Sequence, residues 1–340
     1  MEAKSVEKLP SGDMWQYEPK WDGFRCVAFR DGNQVDLQSK SGQPLARYFP
    51  EIVQALLELK AKQFVIDGEI VVPVKGKFSF DDLLMRIHPA ASRIKKLAQE
   101  TPAKLIVFDQ LVDERGKALV DQTLEQRRKK LDAFAKKFFP KNDVTQTVSL
   151  RHSQSNRLRY MIELSPCTDD LKIAKDWLAG AGVDLDGVIA KRIDMAYQSG
   201  NRHGMVKVKR LRTADCVVGG FRYASEGKVI GSMLLGLYDD AGLLHHVGFT
   251  SSFKADEKPA LTKKLEKLIK PPGFTGNAPG GPSRWATERS AEWQPLAPKL
   301  VIEVQYDHFT GGRFRHGTKF LRWRPDKKPA QCKMEQVERK

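Results

Sequence analysis

Hydrophobic residues recur with two different spacings along the chain, and the texture changes near residue 212. Over the first part, short runs rich in β-branched residues read as strands: "RCVAFRDG", "QVDLQSKSG", "FVIDGEIVVPV", "KLIVFDQLV", "GVIAKR" and "GMVKVKR". "DGN" and "KSGQ" supply turns between the early ones. Helical spacing runs through "FPEIVQALLELKA", "FDDLLMRI", "SRIKKLAQE", "TLEQRRKKLDAFAKKF" and "TDDLKIAKDWLAGAG", the last ending in glycine, a common helix stop. Strands gather at both ends of this region with helices between them, which does not fit a doubly wound parallel sheet. After Arg212 short strands dominate: "DCVVGGFRY", "GSMLLGLYDD", "LLHHVGFTSSF", "KLVIEVQYDHF" and "KFLRWRP". The turn "DDAG" makes a hairpin of the second and third. One helix, "DEKPALTKKLEKLIK", interrupts the series and is followed by the loop "PPGFTGNAPGGPSRW". Five strands with one inserted helix suggest a small Greek-key barrel of the OB type. The expected architecture is α+β, with a first domain over residues 1–212, built on antiparallel sheets, and an OB-fold β-barrel over residues 213–340.

Composition narrows the class. A chain of 340 residues has room for two cores, and 29% charged with 41% hydrophobic residues fits a soluble globular protein. No apolar run approaches the ~18 residues that a membrane helix needs. "MEAKSVEKLP" lacks the apolar stretch of a secretory signal. Cys26, Cys167, Cys216 and Cys332 stand singly, which argues against a zinc site or a disulfide framework and for a reducing cytoplasm. The net charge of +16 points to a polyanionic partner, and both halves of the chain carry the excess.

The charged residues inside the strands carry the chemistry. In "YEPKWDGFR" Glu18, Lys20 and Asp22 alternate, so an extended chain puts the lysine between two carboxylates on one face. "FVIDGEIVV" sets Asp67 and Glu69 in an apolar run, and "VDLDGVIAK" does the same with Asp184 and Asp186. A carboxylate buried there is costly unless it is paired or binds a metal, and oxygen ligands suit Mg²⁺. "MVKVKR" places Lys207 and Lys209 on one face, where they repel each other unless an anion such as phosphate lies between. Taken alone, each piece also has an ordinary reading: a surface ion pair, an edge strand with solvated lysines, a core aromatic at Phe108, a basic strand at Arg322 and Arg324.

Their order is what stands out. K-x-D-G-x-R, D-G-E, the aromatic strand F-D, D-G-V-I-A-K, K-V-K-R and R-x-R-P-D-K follow one another from Lys20 to Lys327. This series resembles the covalent nucleotidyltransferases: ATP-dependent DNA ligases, RNA ligases and mRNA-capping enzymes. Phrases such as "LARYFPE", "RIHPA", "GSMLLGLYDD" and "FLRWRPDK" resemble compact bacterial ATP-dependent DNA ligases of the C type and the ligase domain of bacterial end-joining ligase D. The resemblance covers nearly the whole chain and makes residues 1–212 an adenylation (nucleotidyltransferase) domain.

It implies that Lys20 attacks the α-phosphate of ATP and becomes AMP-lysine. Glu18 then reads the adenine edge, Phe108 stacks on the ring, Arg25 and Glu69 contact the ribose, and Lys207 and Lys209 hold the α-phosphate. Glu69 and Asp186 place Mg²⁺ or Mn²⁺. Lys40 stands where the family usually has arginine, and Asp186 where many ligases have glutamate. Arg322, Arg324 and Lys327 are expected to serve the pyrophosphate leaving group. The expected substrate is nicked or gapped duplex DNA, handled by a monomer in a bacterial cytoplasm, associated with the nucleoid when working. A capping enzyme or RNA ligase is the rival within the superfamily. A non-enzymatic OB module that binds nucleic acid is the rival outside it.

Overall fold

The computed structural model describes residues 1–139, 161–180, 185–225, 227–280 and 292–338. The chain forms two compact units, Met1–Arg210 and Leu211–Lys340. They part slightly before the expected 212/213 boundary, because Arg212 already opens a strand of the second unit.

The main strands of the first unit are β1 (Lys4–Ser5), β2 (Trp15–Lys20), β3 (Phe24–Asp31), β4 (Gln34–Ser39), β5 (Gln63–Val71), β6 (Lys104–Val112), β7 (Ile162–Leu164), β8 (Gly187–Arg192) and β9 (Met205–Lys209). Its helices are α1 (Pro50–Glu58), α2 (Phe80–Met85), α3 (Ala91–Glu100), α4 (Leu124–Phe138) and α5 (Leu171–Ala179). The larger sheet has the order β4-β3-β5-β6-β7, antiparallel except for the last pair. Its apolar positions, among them Ile66, Ile70, Leu105 and Val107, meet Ile52 and Leu56 of α1 and Leu131 and Phe134 of α4 in one core. Each such side chain contributes about 1.5–3 kcal/mol when fully buried. Arg86, wholly buried, grips Glu51 with two hydrogen bonds of 2.6 and 2.9 Å and so ties the end of α2 to α1.

The smaller sheet has the order β1-β9-β8-β2. It joins segments from the two ends of the unit: Lys20 of β2 stands opposite Gly187 of β8. Tyr17, Val188 and Ala190 pack there against Ala174 of α5. Asp170 caps that helix by accepting from the Lys172 amide, and Gly180 ends it with φ at 88°. Glycine is required where the strands come closest. A Cβ on Gly23 would lie 2.2 Å from the Ile70 carbonyl oxygen, and one on Gly187 would lie 2.0 Å from that of Val208. Both glycines follow an aspartate, so each Asp-Gly pair sets a carboxylate beside a tight backbone approach.

In the second unit the main strands are β10 (Arg212–Tyr223), β11 (Ile230–Tyr238), β12 (Leu244–Thr250), β13 (Val301–Tyr306) and β14 (Lys319–Trp323), with α6 (Lys258–Glu266) between β12 and β13. The order is β12-β11-β10-β13-β14, all antiparallel. A parallel bridge between Thr250 and Thr318 closes the ring; the Thr318 amide donates to the Phe249 carbonyl at 3.0 Å. Five strands in this cyclic order, with the helix after the third, form the expected OB barrel. Among the described residues no helix is long and apolar enough to cross a membrane.

Two local expectations change. β2 ends at Lys20, so Asp22 lies beyond the strand, yet a carboxylate oxygen of Asp22 comes within 4.8 Å of one of Asp186, the partner of Lys20. Arg324 lies just past the end of β14 rather than inside it. Asp184 falls outside the described residues.

Candidate active site

A cavity of about 430 Å³ opens in the first unit. Glu18, Lys20, Arg25, Lys40, Glu69, Phe108 and Lys207 line it, as do Asp67, Lys191 and Tyr197. Its size lies within the range of small-molecule sites.

Lys20 sits at the end of β2, where the Asp186 amide donates to its carbonyl at 3.1 Å. Its ammonium is ion-paired with the buried Asp186 carboxylate. The carboxylate beside the lysine is therefore Asp186, from a distant segment, and not the sequence neighbour Glu18. Glu18 is turned to other partners: it accepts from Gln16 Nε2 at 2.8 Å and lies 2.7 Å from Lys191 Nζ.

Lys191 is the residue that the sequence reading passed over. It closes "DGVIAK", and the alternation of β8 puts it on the same face as Ile189, opposite β2. Its Nζ is 4.5 Å from the centre of the Phe108 ring. The signal was present: a lysine closing an otherwise apolar strand, with Gly187, Ile189 and Lys191 at every second position.

Arg25 is held from behind. Its Nε and Nη2 donate to the two oxygens of Asp67 at 3.1 and 2.6 Å, and its Nη1 donates to the Met1 carbonyl. The Tyr197 hydroxyl donates to Asp67 at 2.9 Å, and the Tyr197 ring lies 5.6 Å from the Arg127 guanidinium. Arg127 makes its own fork with Asp109, at 2.8 and 2.9 Å. Tyr197 belongs to the connection between β8 and β9, where no regular spacing marked it.

Desolvation pushes the Glu69 carboxyl up to about 8; Lys20 and Arg25 oppose the rise, and Asp67 and Asp22 add to it. Burial lowers the Lys207 ammonium, helped by the nearby charges of Lys20, Lys209 and Lys40. Lys209 stands opposite Gly187 at the end of β9 and is not part of the cavity lining. Lys40 reaches the cavity from just beyond β4, paired with Glu2 at 3.1 Å.

In the second unit the cations of "FLRWRPDK" are engaged with carboxylates. Arg322 pairs with Glu303 at 2.6 Å. Asp215 holds both Arg324, at 2.8 Å, and Lys327, at 2.6 Å.

The family model for the ATP dependent DNA ligase domain matches residues 2–209, and that for the ATP dependent DNA ligase C terminal region matches residues 226–327. The chain belongs to the ATP-dependent DNA ligases. It is 43% identical to DNA ligase C1 of Mycolicibacterium smegmatis, over 99% of this chain and 93% of that protein. Identity to DNA ligase C of Mycobacterium tuberculosis is 39%, over 100% of this chain and 93% of that protein. The ligase also matches the multifunctional non-homologous end joining protein LigD of Mycobacterium bovis, at 28% identity over 93% of this chain and 37% of that protein. Among solved structures, a Lig E DNA ligase superposes with a TM-score of 0.52 at 15% identity, over 95% of this chain and 100% of that one, and supports the fold. Family membership makes the protein an ATP-using ligase and sets aside both the capping-enzyme and the non-enzymatic readings.

Proposed function

We propose that this ligase seals nicks in duplex DNA through a Lys20–AMP intermediate. The observation that carries the reading is Lys20 itself, set in a nucleotide-sized cavity with Lys207, Glu69 and Phe108 around it. In the first step Lys20 Nζ attacks the α-phosphorus of ATP; a P–N bond forms, the bond to the β-phosphate bridge breaks, and pyrophosphate leaves. In the second, an oxygen of the DNA 5′-phosphate takes the AMP and the P–N bond breaks. In the third, the 3′-hydroxyl attacks the 5′-phosphorus, the strand closes and AMP leaves.

The side chains divide this work. Glu18, with Lys191 beside it, faces the adenine edge, and Phe108 stacks on the ring. Arg25 and Glu69 meet the ribose, and Lys207, with Lys209 behind it, neutralises the α-phosphate. Arg322 and Lys327 of the barrel serve the leaving pyrophosphate. Glu69 and Asp186 fit a divalent cation such as Mg²⁺ or Mn²⁺. A carboxyl raised to about 8 by burial is protonated at neutral pH unless a positive charge joins it, and Asp186 already carries a cation in the form of Lys20. When bound, the ion would supply charge neutralisation at the transferring phosphate.

The substrate is nicked or gapped duplex DNA, which suits a charge of +16. The role is in DNA repair, as it is by name for the non-homologous end joining DNA repair protein LigD of Mycobacterium tuberculosis, which the chain resembles. The working unit is a monomer in the cytoplasm.

Intact mass measurement of the purified protein incubated with ATP tests the reaction class. An added AMP that is lost with pyrophosphate and Mg²⁺, and absent when GTP replaces ATP, is expected. No adduct on Lys20 would overturn the reading.

A further inference from the structure

The cations of the barrel are not all answered by carboxylates. Arg322, Arg324 and Lys327 each have one. Arg313 differs: among the described residues no carboxylate pairs with it, and its Nη2 lies 3.3 Å from Nδ1 of His246. It stands exposed at the tip of a short hairpin in which Phe309–Thr310 pair with Arg313–Phe314. Gly311 and Gly312 make the turn with φ at 56° and 74°, as a tight two-residue hairpin requires. The Phe314 ring packs 4.8 Å from that of Tyr306 and 5.3 Å from that of Phe309, so the arginine is carried on an anchored support.

His246 comes from β12 and is buried. Burial, then the charges of Arg313 and Arg222, keeps its imidazole neutral at pH 7. A neutral ring that accepts from Arg313 at Nδ1 carries its proton on Nε2. That N–H is buried and meets no acceptor among the described residues. A buried donor left so is costly until an acceptor reaches it. Arg222, near the end of β10, completes the group: its charge acts on the imidazole, and its own guanidinium is disfavoured first by burial and then by Arg313. Two like charges and an unmet donor thus gather where β10, β12 and the hairpin come together.

We propose that Arg313, Arg222 and His246 form a binding site for a backbone phosphate of the duplex, on the reading that nicked DNA is the substrate. The ligand class follows from the donors. Guanidinium groups fork onto phosphate oxygens, and a neutral imidazole N–H adds a directed donor without adding charge. A DNA phosphodiester is favoured over a free anion because Arg313 is exposed on a projecting turn, where a polymer backbone can reach it, and because a net charge of +16 suits a polyanion. The site uses none of the cations assigned to pyrophosphate.

The test is equilibrium binding of nicked duplexes to the full chain over a range of salt. At about 0.1 M salt Arg313→Ala and Arg222→Ala each weaken binding about three- to tenfold, and each reduces the slope of log K against log salt by about one. Self-adenylation with ATP in the absence of DNA keeps its wild-type rate. Arg313→Lys, which keeps the charge, keeps the wild-type slope. Duplexes that carry one neutral methylphosphonate at successive phosphates locate the contact. One position, or two neighbours, weakens wild-type binding and has no further effect in Arg313→Ala, the non-additivity of a shared contact. If the variants bind like wild type, or lose the same factor on every modified duplex, the site does not hold DNA. Stabilisation of the barrel by inorganic phosphate with no methylphosphonate effect would make the occupant a free anion and overturn the DNA assignment. Failure of the underlying reading looks different, because the wild-type protein would then show no salt-dependent binding of nicked duplex at all.

Discussion

Asp186 holds Lys20 twice. Its amide donates to the lysine carbonyl at 3.1 Å, and its carboxylate pairs with the lysine ammonium. The first contact fixes the backbone across β2 and β8, and the second decides where the reactive nitrogen points. An ammonium has no lone pair with which to attack phosphorus, so the proton must leave before adenylation. Asp186 is in place to orient the nitrogen and to stand by that proton. Asp186→Asn is expected to slow single-turnover self-adenylation by about a hundredfold, the lower end of general acid–base effects. Lys20→Ala and Lys20→Arg abolish it, because a guanidinium is not deprotonated in proteins. Near-normal adenylation in the Asp186 variant would remove it from the chemistry.

Tyr197 acts through Arg25. Its hydroxyl lies 2.9 Å from Asp67 and 3.2 Å from Arg25 Nη2, while its ring packs by Arg127. Tyr197→Phe keeps the ring and removes the hydrogen bonds, so Arg25 loses part of what fixes its position in the cavity. KM for ATP should rise about fivefold, from the ~1 kcal/mol of a typical hydrogen bond, with kcat little changed. An equal fall in kcat at unchanged KM would mean that Tyr197 acts on the transition state instead. Tyr197→Leu, which loses the ring contact as well, should do more harm.

The strands of the fold were legible because their apolar runs are long and their punctuation by glycine is clear; β5 and β6 are examples. Lys20 was singled out by the order of the motifs around it rather than by its charged neighbours alone, and its partner in the fold was not readable. Asp186 reaches it through a strand pairing that joins the two ends of the unit, and no local pattern encodes that pairing. The same holds for Lys191 beside Glu18 and for Tyr197 behind Arg25. Alternation placed Asp22 on the lysine's face; the strand stops at Lys20, and Asp22 comes near the lysine's partner Asp186 from beyond the strand end. Asp215 was unreadable for a related reason: its partners Arg324 and Lys327 come from the other end of the barrel unit.

Arg322 and Lys327 should separate the steps of the reaction from one another. Pyrophosphate leaves in the first step and is absent afterwards, whereas the α-phosphate persists throughout. Arg322→Ala or Lys327→Ala is therefore expected to cripple self-adenylation while largely sparing closure of a nick that already carries 5′-AMP. Lys207→Ala should impair both. Paired gels, one for enzyme-AMP and one for closure of the pre-adenylated nick, read the two steps. Equal loss of both activities in the barrel variants would make these cations a general DNA grip.

The last prediction concerns acid stability of the barrel. His246 is buried in β12, its ring 5.4 Å from that of Phe274, and its Nδ1 lies 3.3 Å from Arg313 Nη2. Burial, followed by the charges of Arg313 and Arg222, lowers the imidazole to about 3, against a slight opposing contribution from the Gly248 backbone. Between its ordinary value near 6.5 and about 3 the unfolded chain binds a proton that the folded barrel refuses. Stability is therefore intact above pH 6.5 and falls as the pH drops, by about 1.4 kcal/mol for each pH unit. Glu69 works in the opposite direction in the first unit: its raised carboxyl binds a proton that the unfolded chain releases, so that unit gains stability as pH falls from about 8 toward 4.5. A global unfolding curve would blend the two. Hydrogen-exchange protection of the β11 and β12 amides in the full chain, corrected for intrinsic rates, reads the barrel alone. His246→Asn keeps an acceptor for Arg313 and cannot titrate. It should lower protection at pH 7.5 but flatten its decline between pH 6.5 and 4.5. If wild type and variant decline in parallel, His246 is not the proton-linked group.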